Sequence, residues 1–482
     1  MQLVYASDLI GAMELVLDLH LHSRFSRAVS QRMNLQNMYI WGRKKGINIL
    51  SVADFTHPVW FREARSQLEE INPGIYQLKD KKAADQELGE LSQKPFLGPY
   101  FMLSTEVSAI YSENGVSHRI HNLIFSPNFE TAEKINAALL KLGCNLSSDG
   151  RPILGLTSRN LAQALFEIDR KIAIIPCHIW TPWFSLYGSR SGYDRIADCF
   201  GEYSKYIFAV ETGLSSDPAM NWRVSELDSR SIVSFSDAHS MQKMGREATV
   251  LKPKNQKSKI KIEDITYDNI LNSFVRGGER VFEIAYTIEF YPEEGKYHYT
   301  GHRLCKISYS PDEDRNNGTI CPVCKKPLTV GVVHRVEELA NFAANNFKPT
   351  SDKFGVTWMS SGAGSRSAGE KFDPRPPYVS LVPLLEILSE SLHSGTSTQT
   401  VISVFDRLVS HFGSEHEVLF RVELAEIKSV AGDRVAAGIE KVRARNIAIV
   451  PGYDGEYGKV AIWNAEEEID KKKEKTQLGL GF

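Results

Sequence analysis

Residues 15–23 read LVLDLHLHS. Leu15, Leu17, Leu19 and Leu21 alternate with Asp18, His20 and His22, so a strand here turns its leucines to one side and the three polar groups to the other. Two imidazoles two residues apart at a strand end can share one metal ion. A solvated face with two incidental histidines would look the same, and repetition decides between the readings. Residues 234–240, SFSDAHS, put Asp237 and His239 at the same spacing behind another apolar run. Between the two lie Asp54 and His57 in SVADFTHP, Glu106 in STEVSA, His121 in HRIHNLIF and His178 in IIPCHIW.

Working outward, apolar β-rich runs are predicted as strands at 15–21, 47–52, 101–104, 120–125, 172–175, 207–210 and 232–235, separated by helical-looking stretches. That alternation up to about residue 290 predicts an α/β fold, a barrel with its site at the strand C-termini, with an open doubly wound sheet as the alternative. The chain has 482 residues, too many for one ordinary domain. With 42% hydrophobic and 24% charged residues it is globular, which excludes a disordered or fibrous protein. Its 57 basic and 59 acidic residues leave a net charge of -2, which excludes retention on nucleic acid or an anionic membrane by overall charge. A local basic groove stays allowed, and the lysine-rich run 252–261 is a candidate for it.

No apolar run approaches the roughly 20 residues of a membrane span. The opening residues carry Asp8, Glu14 and Asp18 without a basic leader, against a secretory signal. Six cysteines are too few for a disulfide scaffold in so long a chain, so a cytoplasmic protein is expected.

Seven of the 13 histidines fall before residue 240, most of them at predicted strands. Imidazoles mixed with carboxylates suit zinc, manganese or iron, and carboxylates also hold magnesium. Eight such groups exceed the four or so that one ion takes, so two or three divalent ions are implied. A site of that kind clamps a phosphoryl group and activates water, so the chemistry expected is hydrolysis of a phosphate ester.

Four further segments have their own signatures. His302, Cys305, Cys321 and Cys324 form H-x2-C-x15-C-x2-C, the spacing of a closed structural zinc site, with His298 and His334 as substitutes for His302. Arg303, Lys306, Lys325, Lys326 and Arg335 give that module a basic surface suited to a DNA backbone. Residues 351–370 are rich in Gly and Ser and read as a flexible loop. Val401, Val404, Phe405, Leu408, Val409 and Phe412 recur at helical spacing, and IAIVPGYDGEYGKVAIW reads as two strands around a turn. The organisation expected is 1–290 as the phosphoesterase barrel, 291–345 as the zinc module, 346–465 as a helical α+β domain, and 466–482 as a flexible tail.

The series DLHLHS, ADFTH, TEVSA, IHNLIF, PCHIW and SDAHS resembles the PHP (polymerase and histidinol phosphatase) superfamily of metal-dependent phosphoesterases. That resemblance implies a distorted (β/α)7 barrel. CHIWTPWFSLYGSRSGYDRIADCFGE, ETGLSSDPAMNW, SDAHSMQKMGREA, PEEGKYHYTGHRLC with CPVC and LTVGVVHRVEELA, and later PGYDGEYG, are similar to the endonuclease Q family. The likeness implies a DNA repair enzyme that nicks on the 5′ side of deaminated bases (hypoxanthine, uracil) and of abasic sites. A metal-activated hydroxide would attack the phosphorus, leaving 3′-hydroxyl and 5′-phosphate ends.

The same resemblance implies His20, His22, Asp54, Glu106, His121, His178, Asp237 and His239 as metal ligands, with Glu106, His178 and Asp237 central to catalysis. Many superfamily members carry another histidine shortly after the opening motif, where this chain reads SRFSRAVS, which bears on a third ion. His118 is the rival of His121, and alternation along the strand favours His121. A flipped base is commonly gripped by aromatic faces, which makes Trp180 and Trp183 candidates for the base pocket. Arg246 is a candidate phosphate contact and Glu211 a supporting carboxylate.

The last six residues, QLGLGF, resemble the hexapeptide by which bacterial repair proteins bind the DNA sliding clamp, through Gln477, Leu478, Leu480 and Phe482. The expected partners are therefore damaged DNA and that clamp, with the protein a monomer. The competing functions are a small-molecule phosphatase of the same superfamily and a non-catalytic DNA- or clamp-binding module.

Overall fold

The computed structural model describes residues 14–255, 258–341, 347–361 and 375–464. Strand β1 (Leu15–Asp18) buries Leu15 and Leu17 as the alternation predicts, but its ladder stops at Asp18. His20 and His22 stand beyond it, on a segment joined to the rest by a single parallel bridge, Leu21 to Ala238. β1 pairs in parallel with β2 (Ile49–Ser51). A hairpin not foreseen in the sequence follows, β3 (Leu68–Asn72) and β4 (Ile75–Leu78), before β5 (Tyr100–Met102) returns parallel to β2.

One residue, Leu103, separates β5 from β6 (Ser104–Glu113). β6 turns into β7 (Val116–Phe125) through Asn114 and Gly115, at φ of +51° and +79°. Two residues with positive φ make the tight turn whose twist matches paired strands, which is why β6 and β7 are antiparallel. β8 (Ile153–Leu154) and β9 (Ala173–Pro176) complete this sheet in the order β8-β6-β7-β9. β10 (Ala209–Glu211) and β11 (Ser231–Val233) form a parallel pair. β12 (Ala248–Pro253) then runs antiparallel to β1, and β13 (Phe282–Glu289) antiparallel to β12.

Hydrogen bonds link the sheets where ladders stop. Ile179 N donates to Glu211 O at 3.2 Å, and Ser234 N to Thr249 Oγ1 at 2.9 Å. Leu15, Leu17, Ile49, Met102, Leu123, Ile175, Ala209, Val233 and Leu251 meet in one buried cluster, closed at one end by Ile270 and Phe274. The expected run of parallel units therefore holds only in part: the fold is α/β with mixed sheets, because hairpins stand where crossover helices were expected.

β14 (Thr300–His302) and β15 (Ile307–Tyr309) form a small antiparallel pair within the cysteine-rich segment. β16 (Lys348–Ser351), β17 (Thr357–Ser360) and β18 (Tyr378–Ser380) extend the large sheet, whose order is β16-β17-β18-β13-β12-β1-β2-β5-β4-β3. The loop expected at 351–370 is thus strand at Thr357–Ser360, and residues 362–374 lie outside the described residues. Helix Gln399–Phe412 buries Val401, Phe405, Leu408 and Val409, the periodicity read from the sequence, and Thr398 caps its N-terminus. β19 (Ala448–Val450) and β20 (Lys459–Ala461) make the expected hairpin.

The C-terminal helices are fastened to the helix Leu35–Lys45 by buried polar contacts. Lys45 Nζ lies 2.6 Å from Glu415 Oε2 with both side chains buried, and Arg43 donates to Gly413 O at 2.7 Å. Among the described residues no helix is long and apolar enough to cross a membrane. The tail with the clamp-like hexapeptide lies outside the described residues.

Candidate metal centre

The loops leaving β1, β2, β9 and β11 converge on the β6–β7 hairpin. Three of the converging residues, Asp54, His178 and Asp237, have φ of +38°, +30° and +46°. Non-glycine residues in that region cost about 1–3 kcal/mol each and persist where surrounding bonds fix them. Here the bonds are visible. Asp18 accepts from Ser236 N (2.9 Å), Ser236 Oγ (2.6 Å) and Gly245 N (2.8 Å), and so fixes the loop that presents Asp237. Burial pushes the Asp18 carboxyl up to about 6 against those bonds. Asp18 therefore braces the site from behind and does not share the face of His20 and His22.

Two groups of donors meet at Glu106. Its Oε2 lies 3.6 Å from His20 Nε2 and 3.2 Å from His22 Nε2, and Asp237 Oδ1 stands 3.0 Å from His22 Nε2. Its Oε1 lies 2.5 Å from His121 Nδ1 and 3.1 Å from His178 Nε2. One carboxylate thus serves two sets, His20–His22–Glu106–Asp237 and Glu106–His121–His178, each with its donor atoms within 4.8 Å of one another.

These residues fit metal ions on their own chemistry. His20 Nδ1 is tied to Glu211 Oε1 at 2.8 Å and His22 Nδ1 to Asp54 Oδ1 at 3.1 Å, which leaves each Nε2 as the free ligand atom. His20 Nε2, His22 Nε2 and Asp237 Oδ1 are buried without a hydrogen-bond partner among the described residues. Buried polar atoms that face only one another are costly, and a cation between them removes the cost.

The electrostatics agree. Burial opposes ionisation of Glu106, yet His121 and Arg151 hold its carboxyl well below the usual range. Burial likewise disfavours the Asp237 carboxylate, and His20 and His22 hold it down. Burial lowers His121 to about 4, against the pull of Glu106. Burial pushes the thiol of Cys177, beside His20 and Glu211, far up, so it lines the wall as a neutral group.

A second, separate donor group is formed by His302, Cys305, Cys321 and Cys324, with His302 Nδ1 3.4 Å from Cys324 Sγ. His298 and His334 are elsewhere: His298 is buried, and His334 is held by Asp314 and Glu338.

The chain superposes on the crystal structure of the lesion-specific endonuclease PfuEndoQ from Pyrococcus furiosus with a TM-score of 0.72 and 28% identity, over 95% of this chain and 99% of that one. A crystal structure of endonuclease Q with a 27-mer duplex carrying an abasic lesion at its active site gives 0.72 and 29%, over 95% and 98%.

Over nearly its whole length the chain is similar to endonuclease Q.

A family profile described as the MJ0043 C-terminal domain matches residues 383–446. Uncharacterized protein MJ0043 of Methanocaldococcus jannaschii is 30% identical over 306 residues, 60% of this chain, and the match spans about a third (32%) of that relative's length. Uncharacterized protein YqxK of Bacillus subtilis is 26% identical over 460 residues, 92% of this chain and 98% of that one.

In this endonuclease Q-like chain, several expected site residues lie outside the two donor groups. Asp54 lies outside both donor groups: its Oδ2 accepts from Ser23 N, Ser23 Oγ and Ser26 Oγ at 2.6–2.8 Å, and its Oδ1 orients His22. His239 stands beside His22, ring centroids 4.7 Å apart, and lies outside the two donor groups; its Nδ1 bonds Asp237 O, which leaves Nε2 as its free ring nitrogen. His57 caps the helix Pro58–Gln67 and stacks on Phe25. His121 enters the centre, while His118 stacks on Tyr193 at 4.0 Å. Trp180 is fully buried with Nε1 donating to Asn221, so it offers no face to a base. Trp183 is half-buried, edge-on to Tyr297.

Arg246 donates to Ser236 O and Asp237 O, bracing the loop. The lysine run leaves β12 at the end of β1 opposite to His20, because Leu251 pairs with Leu15, so it is not part of this site. The residue missed in the sequence is Arg151. It donates to Glu106 Oε2 at 3.1 Å and is 27% exposed, at the edge of the donor set. Gly150 before it lies so close to Asp54 that an added Cβ would stand 2.3 Å from Oδ2. A glycine ahead of an arginine, between two apolar runs, was the available signal.

Proposed function

We propose that this chain is a metal-dependent DNA endonuclease that cuts at lesions, on the 5′ side of hypoxanthine, uracil or an abasic site, and leaves 3′-hydroxyl and 5′-phosphate ends. The observation that carries the reading is Glu106, whose two oxygens face two donor sets in a chain alike to endonuclease Q over 95% of its length. His20, His22, Glu106 and Asp237 would hold one divalent ion, and Glu106, His121 and His178 another. Such ions polarise a phosphate and lower the pKa of a water beside it.

The chain's own residues supply the rest. Glu211 and Asp54 fix the histidine tautomers, Asp18 and Arg246 hold the Asp237 loop, and Arg151 offers its remaining N–H groups to a phosphate oxygen. Donors fixed before substrate arrives need no reorganisation during the reaction.

We read residues 14–290 as a distorted barrel on the strength of the single cluster inside its strands, 291–345 as a module built on one structural zinc at His302, Cys305, Cys321 and Cys324, and 346–465 as the C-terminal domain. The tail is read as a tether to a sliding clamp.

The deciding assay is nicking of a labelled duplex with one deoxyinosine, deoxyuridine or abasic site, with magnesium, manganese or zinc supplied. Nicking at the 5′ side of the lesion, abolished by Asp237→Asn, is expected. A wild-type protein that leaves every lesion duplex intact with each metal overturns the reading.

A further inference from the structure

The two knuckles of the cysteine cluster repeat one pattern. His302 is followed by Arg303, Leu304, Cys305 and Lys306, and Cys321 by Pro322, Val323, Cys324 and Lys325. Leu304 and Val323 each stand one residue before the second donor of their knuckle, and they are 83% and 65% exposed. Lys306 and Lys325 each stand one residue after it, at φ of +54° and +60°. Both knuckles thus present an apolar side chain and a cation in the same order, each with its lysine at positive φ.

The surroundings extend the pattern. Ile320 is exposed beside the second knuckle. Tyr457, 74% exposed, reaches over from the β19–β20 hairpin with Lys296 Nζ 4.4 Å from its ring centre. That hairpin is fixed to the module by Tyr299 N to Gly452 O at 2.9 Å and Arg303 N to Asp454 at 2.7 Å. Arg303, Lys306, Lys325 and Lys326 are exposed and have no ion-pair partner among the described residues.

The module abuts the loop that carries His178. Tyr297 meets Trp183 at 5.3 Å, Arg190 donates to Leu328 O at 3.1 Å, and Arg335 donates to Tyr187 O at 3.1 Å. These contacts set the module that carries the knuckles against the loop of His178, beside the metal centre. Exposed large apolar side chains ringed by lysines poorly fit a protein partner, since lysine is depleted from protein interfaces. They fit a duplex, where apolar wedges enter between stacked bases and cations take the phosphates on either side.

We propose that Leu304 and Val323 form a paired wedge that enters the base stack of duplex DNA next to the cleaved bond, with Lys306 and Lys325 on the flanking phosphates. This rests on the endonuclease reading above. Unstacking the duplex at the lesion lets the damaged nucleotide leave the helix and reach the metal centre.

The test compares the full-length wild type with a Leu304→Ser, Val323→Ser double variant on two substrates. One is a paired duplex with a single abasic site, and the other holds the same lesion in a bubble of unpaired bases. Both replaced side chains are exposed, and zinc content and melting temperature check that the module is intact. On the paired duplex kcat/KM should fall about tenfold or more, because the variant no longer offsets the unstacking, while the bubble should be cut at nearly the wild-type rate. A 2-aminopurine beside the lesion should brighten when wild type binds and stay dim with the variant. Lys306→Ala with Lys325→Ala should weaken binding of both substrates and flatten its salt dependence.

Equal loss on both substrates, or no loss on either, overturns the wedge, and the second outcome assigns the tips to a protein partner. A wild type that cuts neither substrate rejects the endonuclease reading instead, and the 2-aminopurine signal then decides the wedge alone.

Discussion

Arg151 donates from Nη1 to Glu106 Oε2 at 3.1 Å, the same oxygen that lies 3.2 Å from His22 Nε2. A permanent cation therefore shares an oxygen with the imidazole-rich donor set, while among the described residues its guanidinium makes only the Nη1 bond to Glu106. Held by Glu106 and part-exposed, its guanidinium is placed to meet a phosphate oxygen as charge builds on it. Arg151→Ala should lower kcat on a lesion duplex about a hundredfold or more, the usual scale for losing one fixed donor to developing charge. KM should move less, and metal content by mass spectrometry should stay unchanged. An unaltered kcat, or a loss of metal equal to the loss of rate, counts against this role.

Glu106 joins the two donor sets, so one substitution should disconnect both. Glu106→Gln keeps the shape but removes the charge that balances the cations. The expected result is loss of the centre's divalent ions and of nicking together. The cysteine cluster supplies an internal reference: one zinc per chain should remain. Full retention of metal in the variant would show that Glu106 is not the bridge.

Asp54 illustrates an indirect effect. Its Oδ1 accepts from His22 Nδ1 and its Oδ2 takes three further bonds, so it holds the ring and the tautomer from outside the two donor groups. Asp54→Asn should weaken metal affinity or activity about 10–100-fold, the scale for groups that orient a metal-bound histidine. Raising the metal concentration should restore most of the rate, which loss of a direct ligand such as Asp237 would not allow. Competitive metal titration separates the two.

Spacing made the strand ends and their polar residues legible, and that was enough to bring His20, His22, Glu106, His121, His178 and Asp237 into view. It could not distinguish a residue that faces the centre from one that holds its neighbour, since Asp54 and His57 differ from a ligand only in what they bond. Alternation separated His118 from His121 because residues three apart on a strand point to opposite faces. The place of the lysine run was not legible for a topological reason: β12 is antiparallel to β1, so Lys252 and Lys254 sit at the end of the sheet away from His20. Trp180 looked like a pocket wall until its packing was known. Arg151 sits in a connection with no periodic pattern, placed by the close approach of Gly150 to Asp54 and by Gly150 N donating to Phe25 O at 3.0 Å.

Beneath the centre, Glu289 and Glu247 form a buried acidic pair that no cation neutralises through a direct ion pair among the described residues. Glu289 accepts from the hydroxyls of Ser234, Thr287 and Thr212. Burial is the main reason its carboxyl is pushed up to about 8, from an ordinary value of 4.5. Burial, and then the charge of Glu289, raises Glu247 as well. A carboxyl whose folded value exceeds its unfolded value binds more protons in the folded state. Its favourable contribution is complete below about pH 4.5 and is lost as pH rises through about 8. Each such group tilts stability by about 1.4 kcal/mol per pH unit inside that window. Denaturant unfolding of the wild type should therefore show stability falling between pH 5 and pH 8 in about that proportion. Glu289→Gln keeps the hydroxyl bonds but has no proton to lose. It should flatten the fall and leave the variant the more stable protein at pH 8; an unchanged slope would mean that Glu289 is ionised throughout.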